Sequence, residues 1–151
     1  MSFGVGTQIS PPPPGCFKGT FLCAKGSIPA SDTAGAGIGW NLAQPRASLS
    51  ANVLALTGAI KITFVGAKTG TRVALGPSSG DDYCYYLTAA EVSAGAATIP
   101  VSSFKSACWD PVNARPYAGE ATIRSIQLMV VGSTSGGPAT FDFCITDVEP
   151  A

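Results

Sequence analysis

The segment from Ala121 to Val148 constrains the fold most, because it contains two long stretches of alternating apolar residues. Apolar side chains occupy every second position in each stretch: Ile126, Leu128 and Val130 in the first, and Phe141, Phe143 and Ile145 in the second. Side chains of a β-strand point alternately to its two faces, so this pattern predicts two half-buried antiparallel strands. The intervening loop, 132–138, is rich in glycine and ends in proline, which interrupts a strand. We therefore predict an all-β sandwich whose last strand lies inside a sheet.

Shorter strands are predicted upstream, separated by turn residues. They are Gly19–Ala24, Ala59–Ala67, Thr71–Leu75, Tyr83–Leu87 and Ala97–Ile99. The segment Gly26–Gly39 is turn-rich, and its glycines at 35, 37 and 39 are expected to let a strand bend or approach another backbone closely. Thr88–Gly95 is the one stretch that predicts a helical turn.

The apolar positions of these strands define a predicted core. Its members are Ile60, Ile62, Phe64, Val73, Leu75, Leu87, Ile126, Leu128, Val130, Phe141, Phe143 and Ile145. A chain of 151 residues is long enough to bury such a core as one domain. We assign that domain to residues 16–151.

The N-terminal residues 1–15 are predicted to be the remnant of a linker. Pro11–Pro14 is a run of four prolines, which favours a stiff polyproline II conformation. Met1–Ser10 lacks the charged and apolar regions of a signal peptide, so we expect an exported form to be a mature piece.

The composition excludes several function classes. Charged residues make up only 12% of the chain and the formal net charge is zero, which gives no electrostatic basis for binding nucleic acid. The sequence has no apolar run of membrane-spanning length and no basic amphipathic helix, so no membrane partner is expected.

Five cysteines in a turn-rich chain of low charge indicate an oxidising compartment. The odd number leaves one thiol unpaired or in an intermolecular bond. A zinc site is not expected, because the sequence has no histidine and no C-x-x-C motif. Cys23 has two candidate partners, Cys16 and Cys144, and the sequence does not choose between them.

Four segments occur in a recognisable order: GIGWNLAQP (37–45), YCYYL (83–87), IPVSSFKSACWD (99–110), and the pair SIQLMVVG and FDFCITDV near the end. Together they resemble the jelly-roll carbohydrate-binding modules attached to secreted bacterial polysaccharide-degrading enzymes. The resemblance implies a jelly roll of the galactose-binding-like kind, and a proline-rich linker joining the module to a catalytic domain.

The resemblance also implies specific bonds and ligands. In modules of this kind, cysteines placed like Cys84 and Cys108 form a disulfide that joins neighbouring segments. A structural calcium near the chain ends is implied as well, with oxygen ligands from Asp142 and Asp147, and with Glu149 available. Related endings have two adjacent acids where this chain has Thr146 and Asp147, so one expected ligand is missing.

Catalysis is not predicted from the residues. Without histidine the chain lacks Ser-His-Asp and Cys-His arrangements, and most of its nine acidic residues fall in turns or at strand ends. A glycosidase would need two carboxylates held on either side of the bond to be cleaved. We therefore predict a protein that is not an enzyme.

Sugar binding fits the residues better, because sugar rings pack on aromatic side chains and their hydroxyls need hydrogen-bond partners. Alternation places Tyr83 and Tyr85 on the core side and Tyr86 outside with Cys84. The predicted binding residues are Arg72, Tyr86, Trp109, Tyr117, Gln127 and Lys61. A plainer role for Trp109 is to pack over a Cys84–Cys108 disulfide.

The predicted function is non-catalytic carbohydrate binding by a secreted module that holds an attached enzyme on a plant-type polysaccharide. The resemblance favours β-glucan as the ligand. The alternative is an extracellular structural or self-assembling surface protein, with Val65, Met129 and Val131 as exposed apolar positions.

Overall fold

The structure is a computed structural model that describes residues 17–30, 35–41, 58–77, 82–119, 123–132 and 139–151. These residues contain nine strands and one α-helix: β1 Phe17–Ile28, β2 Gly35–Asn41, β3 Ala59–Val65, β4 Arg72–Pro77, β5 Tyr83–Tyr86, α1 Ala89–Ala94, β6 Ala96–Pro100, β7 Lys105–Ser106, β8 Ile123–Val131 and β9 Ala139–Pro150. A 3-10 turn at Val101–Ser103 separates β6 from β7. The predicted linker, 1–15, lies outside the described residues.

The strands form two antiparallel sheets. The four-stranded sheet has the order β1-β9-β3-β6, and the five-stranded sheet has the order β2-β8-β4-β5-β7. The all-β sandwich is therefore confirmed, and β9 lies inside its sheet between β1 and β3, as predicted. The jelly-roll subdivision remains a prediction. No helix within the described ranges is long and apolar enough to cross a membrane.

The apolar faces of both sheets meet in one core. Every residue predicted for the core is buried except Val130 and Phe141, which are partly buried and pack against it. The sequence analysis missed the fully buried side chains of Ile99, Phe104 and Ile123. Phe104 follows the 3-10 turn rather than an alternating stretch, and Ile123 is out of phase with Ile126 because the pairing of β4 with β8 shifts between Gly76 and Pro77. Period-two patterns do not reveal Phe104 and Ile123, whereas Ile99 follows the alternation of β6 and was omitted from the predicted core.

The prediction of a turn-rich segment up to Gly39 was wrong, because β1 extends to Ile28 and β2 begins at Gly35. The predicted close backbone approach is present. A Cβ atom at Gly37 would lie 2.9 Å from the Leu128 carbonyl oxygen, and one at Gly39 would lie 2.6 Å from the Ile126 carbonyl oxygen. Glycine therefore lets this edge strand pair tightly with β8.

An irregularity in β9 changes which residues face outward near the chain end. Thr63 pairs with Asp147 and Phe64 with Ile145, so Thr146 is an extra residue on β9. As a result Val148 is buried although it is three positions from the buried Ile145.

The predicted helical turn at Thr88–Gly95 is present as α1. Thr88 and Glu91 form a capping box: the Thr88 hydroxyl accepts from the Glu91 amide at 3.3 Å, and the Glu91 carboxylate accepts from the Thr88 amide at 2.7 Å. Gly95 ends the helix at φ +68°. Glu91 also accepts a hydrogen bond from the Tyr85 hydroxyl at 3.0 Å, and burial raises the pKa of Tyr85.

Two disulfides connect the described residues. The predicted Cys84–Cys108 bond is confirmed. The structure also resolves the choice left open for Cys23, which is bonded to Cys144 directly opposite on β9. Cys16 lies outside the described residues.

Candidate binding surface

The most distinctive surface feature is a cluster of one cation and two aromatic rings on the outer face of the five-stranded sheet. Arg72 begins β4 and lies directly opposite Tyr86 on β5. Tyr83 and Tyr85 pack against the core, so the predicted alternation on β5 is correct and Tyr86 points outward. The third member, Trp109, comes from the turn after β7.

The geometry of the cluster is that of a cation held between aromatic rings. The Arg72 Cζ atom lies 5.4 Å from the Tyr86 ring centroid and 5.2 Å from the Trp109 ring centroid. Arg72 Nη2 also donates to the Tyr86 hydroxyl at 3.1 Å. The side chains remain accessible, since Tyr86 is 38% exposed and Trp109 is 55% exposed. We call Arg72, Tyr86 and Trp109 the Arg72 platform.

The turn that carries Trp109 is fixed on both sides. Before it, Cys108 is bonded to the buried Cys84, which ties the turn to β5. After it, the Asp110 carboxylate accepts from the Val112 amide at 3.1 Å and from the Asn113 side chain at 2.7 Å. Trp109 is exposed and also contacts Arg72, so anchoring by the disulfide does not remove the ring from the surface.

Replacing Asp110 with asparagine should loosen this turn in a pH-dependent way. Hydrogen bonds from the Asn113 side chain and backbone lower the pKa of Asp110 from its ordinary value of 3.8. A lowered pKa in the folded state means that the ionised carboxylate stabilises the fold above about pH 4, and that this stabilisation is lost as the pH falls through the folded-state pKa. The urea midpoint of Asp110→Asn should therefore be lower than that of the wild type at pH 7, and the gap should narrow below pH 3.8. A difference in urea midpoint between the wild type and Asp110→Asn that stays constant from pH 7 to about pH 2.5 would contradict this account.

Beside the Arg72 platform, the outer face of the five-stranded sheet is flat along β2, where glycines replace side chains. Met129 on β8 lies opposite Arg72 on one side and Gly37 on the other, and Gln127 similarly lies between Ala74 and Gly39. The glycine positions of β2 have no side chains to rise above the sheet. The structure thus brings Gln127, a predicted binding residue, to the same face as the platform, where its amide donates to the Ser125 hydroxyl at 3.4 Å.

Two predicted binding residues are not part of this surface. Tyr117 is only 6% exposed and packs edge-on against Tyr83, with ring centroids 4.9 Å apart, so it belongs to the core and does not wall a cleft. Lys61 lies on β3 of the other sheet and donates to Glu149 at 2.7 Å. Alternation had placed Lys61 outside correctly, but on the opposite side of the sandwich from Arg72.

The implied calcium ligands do not converge. Asp142 and Asp147 are five residues apart on β9, which separates them by about 15 Å along the strand. Asp142 is also paired with Lys25 at 2.7 Å. Among the described residues no group of three or more His, Cys, Asp or Glu side chains is placed to hold a metal ion. One ion cannot bind both aspartates in this arrangement, and calcium binding stays a prediction.

Lys105 is a surface residue that the sequence analysis missed. It is directly opposite Cys84, one strand beyond it, and therefore shares the outer face with Arg72. The signal that could have found it is local: the buried Phe104 immediately precedes it, so Lys105 must point the other way.

Comparisons with protein-family models, with curated proteins and with solved structures find no significant match to this chain. The function therefore has to be argued from the surface itself. Arg72 and Tyr86 lie on paired strands, and Trp109 lies in a turn fixed by a disulfide. Two accessible aromatic rings around a guanidinium, held in this way, form an arrangement suited to holding a ligand without reacting with it.

Proposed function

We propose that the protein binds carbohydrate without catalysis, through the Arg72 platform on the outer face of the five-stranded sheet. The observation that supports this most is that Tyr86 and Trp109 remain exposed although both lie against Arg72. Large aromatic rings are usually mostly buried, so two exposed rings that both contact one guanidinium indicate a binding function.

The chemistry of sugars matches this surface. One side of a pyranose ring is lined by C–H groups and packs on an aromatic ring, while the hydroxyls at its edge require hydrogen-bond partners. Arg72 and Gln127 provide polar groups next to the rings and are held on paired strands. A surface that is already ordered loses little conformational entropy when it binds, which favours affinity.

Binding without reaction is also supported by the state of the acidic side chains. Several of the described carboxylates are already engaged in structural contacts: Glu91 in the helix cap, Asp110 in its own turn, and Asp142 and Glu149 in ion pairs. Glycoside hydrolysis needs a carboxylate pair facing the substrate. None of these four side chains lies in the Arg72 platform.

The proposal also includes the compartment in which the protein acts and the kind of protein to which it is attached. Two disulfides are typical of proteins that fold in an oxidising compartment. We propose that the domain acts outside the cell as a targeting module for an attached polysaccharide-degrading enzyme, with β-glucan as the neutral ligand to test first.

Replacing Trp109 with alanine should weaken carbohydrate retention about fivefold or more, because stacking on an exposed aromatic ring contributes on the order of 1–3 kcal/mol to the binding of a planar or ring-shaped ligand. Affinity electrophoresis measures this directly. The wild type and Trp109→Ala are run through native gels with and without a soluble polysaccharide, from a panel of neutral and acidic glycans, and insoluble cellulose is tested by depletion from solution.

Val112→Ala is a suitable control for this experiment, since Val112 is 88% exposed in the same turn but outside the Arg72 platform. It should be retained like the wild type. If the folded wild type binds no member of the panel, the proposed function is wrong. If Trp109→Ala is retained as strongly as the wild type, the binding surface lies elsewhere.

The alternative of a self-assembling surface protein receives less support from the structure. Val65 is 62% exposed, but it lies on the outer face of the four-stranded sheet. Met129 and Val131 are only partly exposed and lie on the five-stranded sheet. The three residues are on opposite sides of the sandwich and do not form one apolar patch, although size-exclusion chromatography would still detect an assembly.

A further inference from the structure

The basic side chains differ between the two sides of the sandwich. On the side of the four-stranded sheet, Lys25 and Lys61 each donate to a carboxylate at 2.7 Å, and the Lys68 ammonium donates to the Thr140 carbonyl at 2.9 Å. The charges of Lys25 and Lys61 are therefore compensated by carboxylates, whereas Lys68 is hydrogen bonded only to a neutral group. The zero net charge of the whole chain does not reveal this difference between the two sides of the sandwich.

Arg72 and Lys105, on the outer face of the five-stranded sheet, lack such partners among the described residues. The hydrogen bond of Arg72 goes to the neutral Tyr86 hydroxyl, and its Nε is buried without a hydrogen-bond partner. Neither cation forms an ion pair with a described carboxylate. Their backbones are about 12 Å apart, two strands across and two residues along, and both side chains face the same way.

Two described acids on this face, Asp110 and Asp82, form no ion pair with Arg72. The Asp110 carboxylate remains charged, but its hydrogen bonds are to the Val112 amide and to Asn113 within its own turn rather than to Arg72. Asp82 lies beside Gly76, about 13 Å along β4 from Arg72, but it is two residues from Cys84 and is therefore a diagonal neighbour of Lys105. Among the described residues, Arg72 thus forms no ion pair, and its guanidinium is the positive group of the Arg72 platform.

We propose that the Arg72 platform binds a carboxylated glycan, with a uronate carboxylate on the Arg72 guanidinium and the adjoining sugar ring against Trp109. This inference rests on the proposed function and specifies its ligand class. Because Nε is buried, the Nη groups are the donors that meet the ligand. A guanidinium matches a carboxylate with two parallel hydrogen bonds, and the flanking rings hold it in place and reduce its contact with water.

Lys105 has a secondary role in this proposal. It is too far from Arg72 to bind the same carboxylate, but it is placed to attract the next acidic sugar along an extended chain. The contribution of Lys105 should be smaller than that of Arg72 and more sensitive to salt, since an exposed lysine acts as a point charge.

The test uses two forms of one polymer, polygalacturonate and its fully methyl-esterified form, in native affinity gels at low salt. These share a backbone and differ in the carboxylate charge. We expect the wild type to bind polygalacturonate at least tenfold more tightly than the ester, because hydrogen bonds to charged groups are stronger than those to neutral groups. Arg72→Gln should remove most of this preference, and Arg72→Lys should restore only part of it.

Lys25→Gln is the matched control, because it makes the same change in net charge on the opposite side of the sandwich. It should keep the preference for the acidic polymer. An equal loss in Lys25→Gln and Arg72→Gln would show a general charge effect and overturn the inference. So would equal retention of the wild type by the acidic polymer and its ester.

The two proposals fail in different ways. If the wild type binds neutral and acidic glycans equally and Trp109→Ala abolishes both, carbohydrate binding stands and the assignment of an acidic ligand falls. If the folded wild type binds no glycan at all, both fall. Circular dichroism and urea unfolding of each variant verify that a loss of binding is not a loss of folding.

Discussion

Replacing both Cys23 and Cys144 with alanine should lower the free energy of unfolding by about 5 kcal/mol, because this disulfide closes a loop of more than a hundred residues. A cross-link removes more conformations from the unfolded chain when it joins more distant positions. The loss is comparable to the whole stability of many domains, which is 5–15 kcal/mol. Cys23 is exposed and Cys144 is partly buried, so the substitution should create little cavity of its own.

The comparison variant is the double replacement of Cys84 and Cys108 with alanine. Its sequence separation is 24 rather than 121, and the loop-entropy contribution is about 3.5 kcal/mol. Urea unfolding of both variants, without reductant, measures the difference. Cys84 is buried, so its replacement adds a packing loss to the comparison variant. The loop-length argument is therefore contradicted if the Cys23–Cys144 variant loses much less than about 5 kcal/mol, as it would if β1 and β9 stay associated in the unfolded ensemble.

The two disulfides should also differ in their effect on binding. Cys108 is adjacent to Trp109, so loss of the Cys84–Cys108 bond frees one side of the turn that positions the ring. The Cys23–Cys144 bond lies in the other sheet, and its loss should leave glycan retention unchanged under conditions where the variant is folded.

Replacing Gly66 with alanine should destabilise the protein by about 3 kcal/mol more than replacing Gly70 with alanine. Both glycines have positive φ, +78° and +82°, so both substitutions carry the backbone strain of about 1 kcal/mol that a side chain meets in this region. They differ in their surroundings. A Cβ atom at Gly66 would collide with the carbonyl oxygen of Asp142, while one at Gly70 would have nothing within 4 Å.

The collision cannot be relieved cheaply, because Asp142 belongs to the central strand β9 and its backbone is held in the sheet. Comparing Gly66→Ala with Gly70→Ala therefore separates the free-energy cost of backbone strain from the cost of the collision with Asp142. Thermal or urea unfolding gives both values. Equal destabilisation of Gly66→Ala and Gly70→Ala would mean that the end of β3 can move away from β9 without loss.

Local features of the fold could be predicted from the sequence because their causes are local. Alternation at Ile126–Val130 and Phe141–Ile145 assigned the correct inward residues of β8 and β9. Thr88 and Glu91 have the three-residue spacing of a capping box, and Gly95 allows the positive φ that ends α1. The orientation of Tyr86 followed in the same way from its neighbours on β5. These features depend on a few adjacent residues and on the geometry of one strand or one turn.

The irregular positions could not be predicted in this way. Thr146 is an extra residue in β9, and strict alternation beyond it would have left Val148 outside the core. Tyr117 follows a loop with no periodic pattern, yet its ring is buried against Tyr83. Whether a strand carries an extra residue depends on how it fits the strands on both sides, which one stretch of sequence does not specify.

The candidate site likewise has features that the sequence predicts and features that only the tertiary structure shows. The sequence by itself determined which side chains point out of their strands, including Arg72, Tyr86, Gln127 and Lys61. Only the tertiary structure decided that Arg72 and Tyr86 are direct neighbours, that Trp109 lies against Arg72, and that Lys61 is on the other sheet. The physical reason is that alternation is a property of one strand, whereas the choice of neighbouring strands depends on contacts between residues far apart in the chain. In this protein the core and two disulfides provide those contacts.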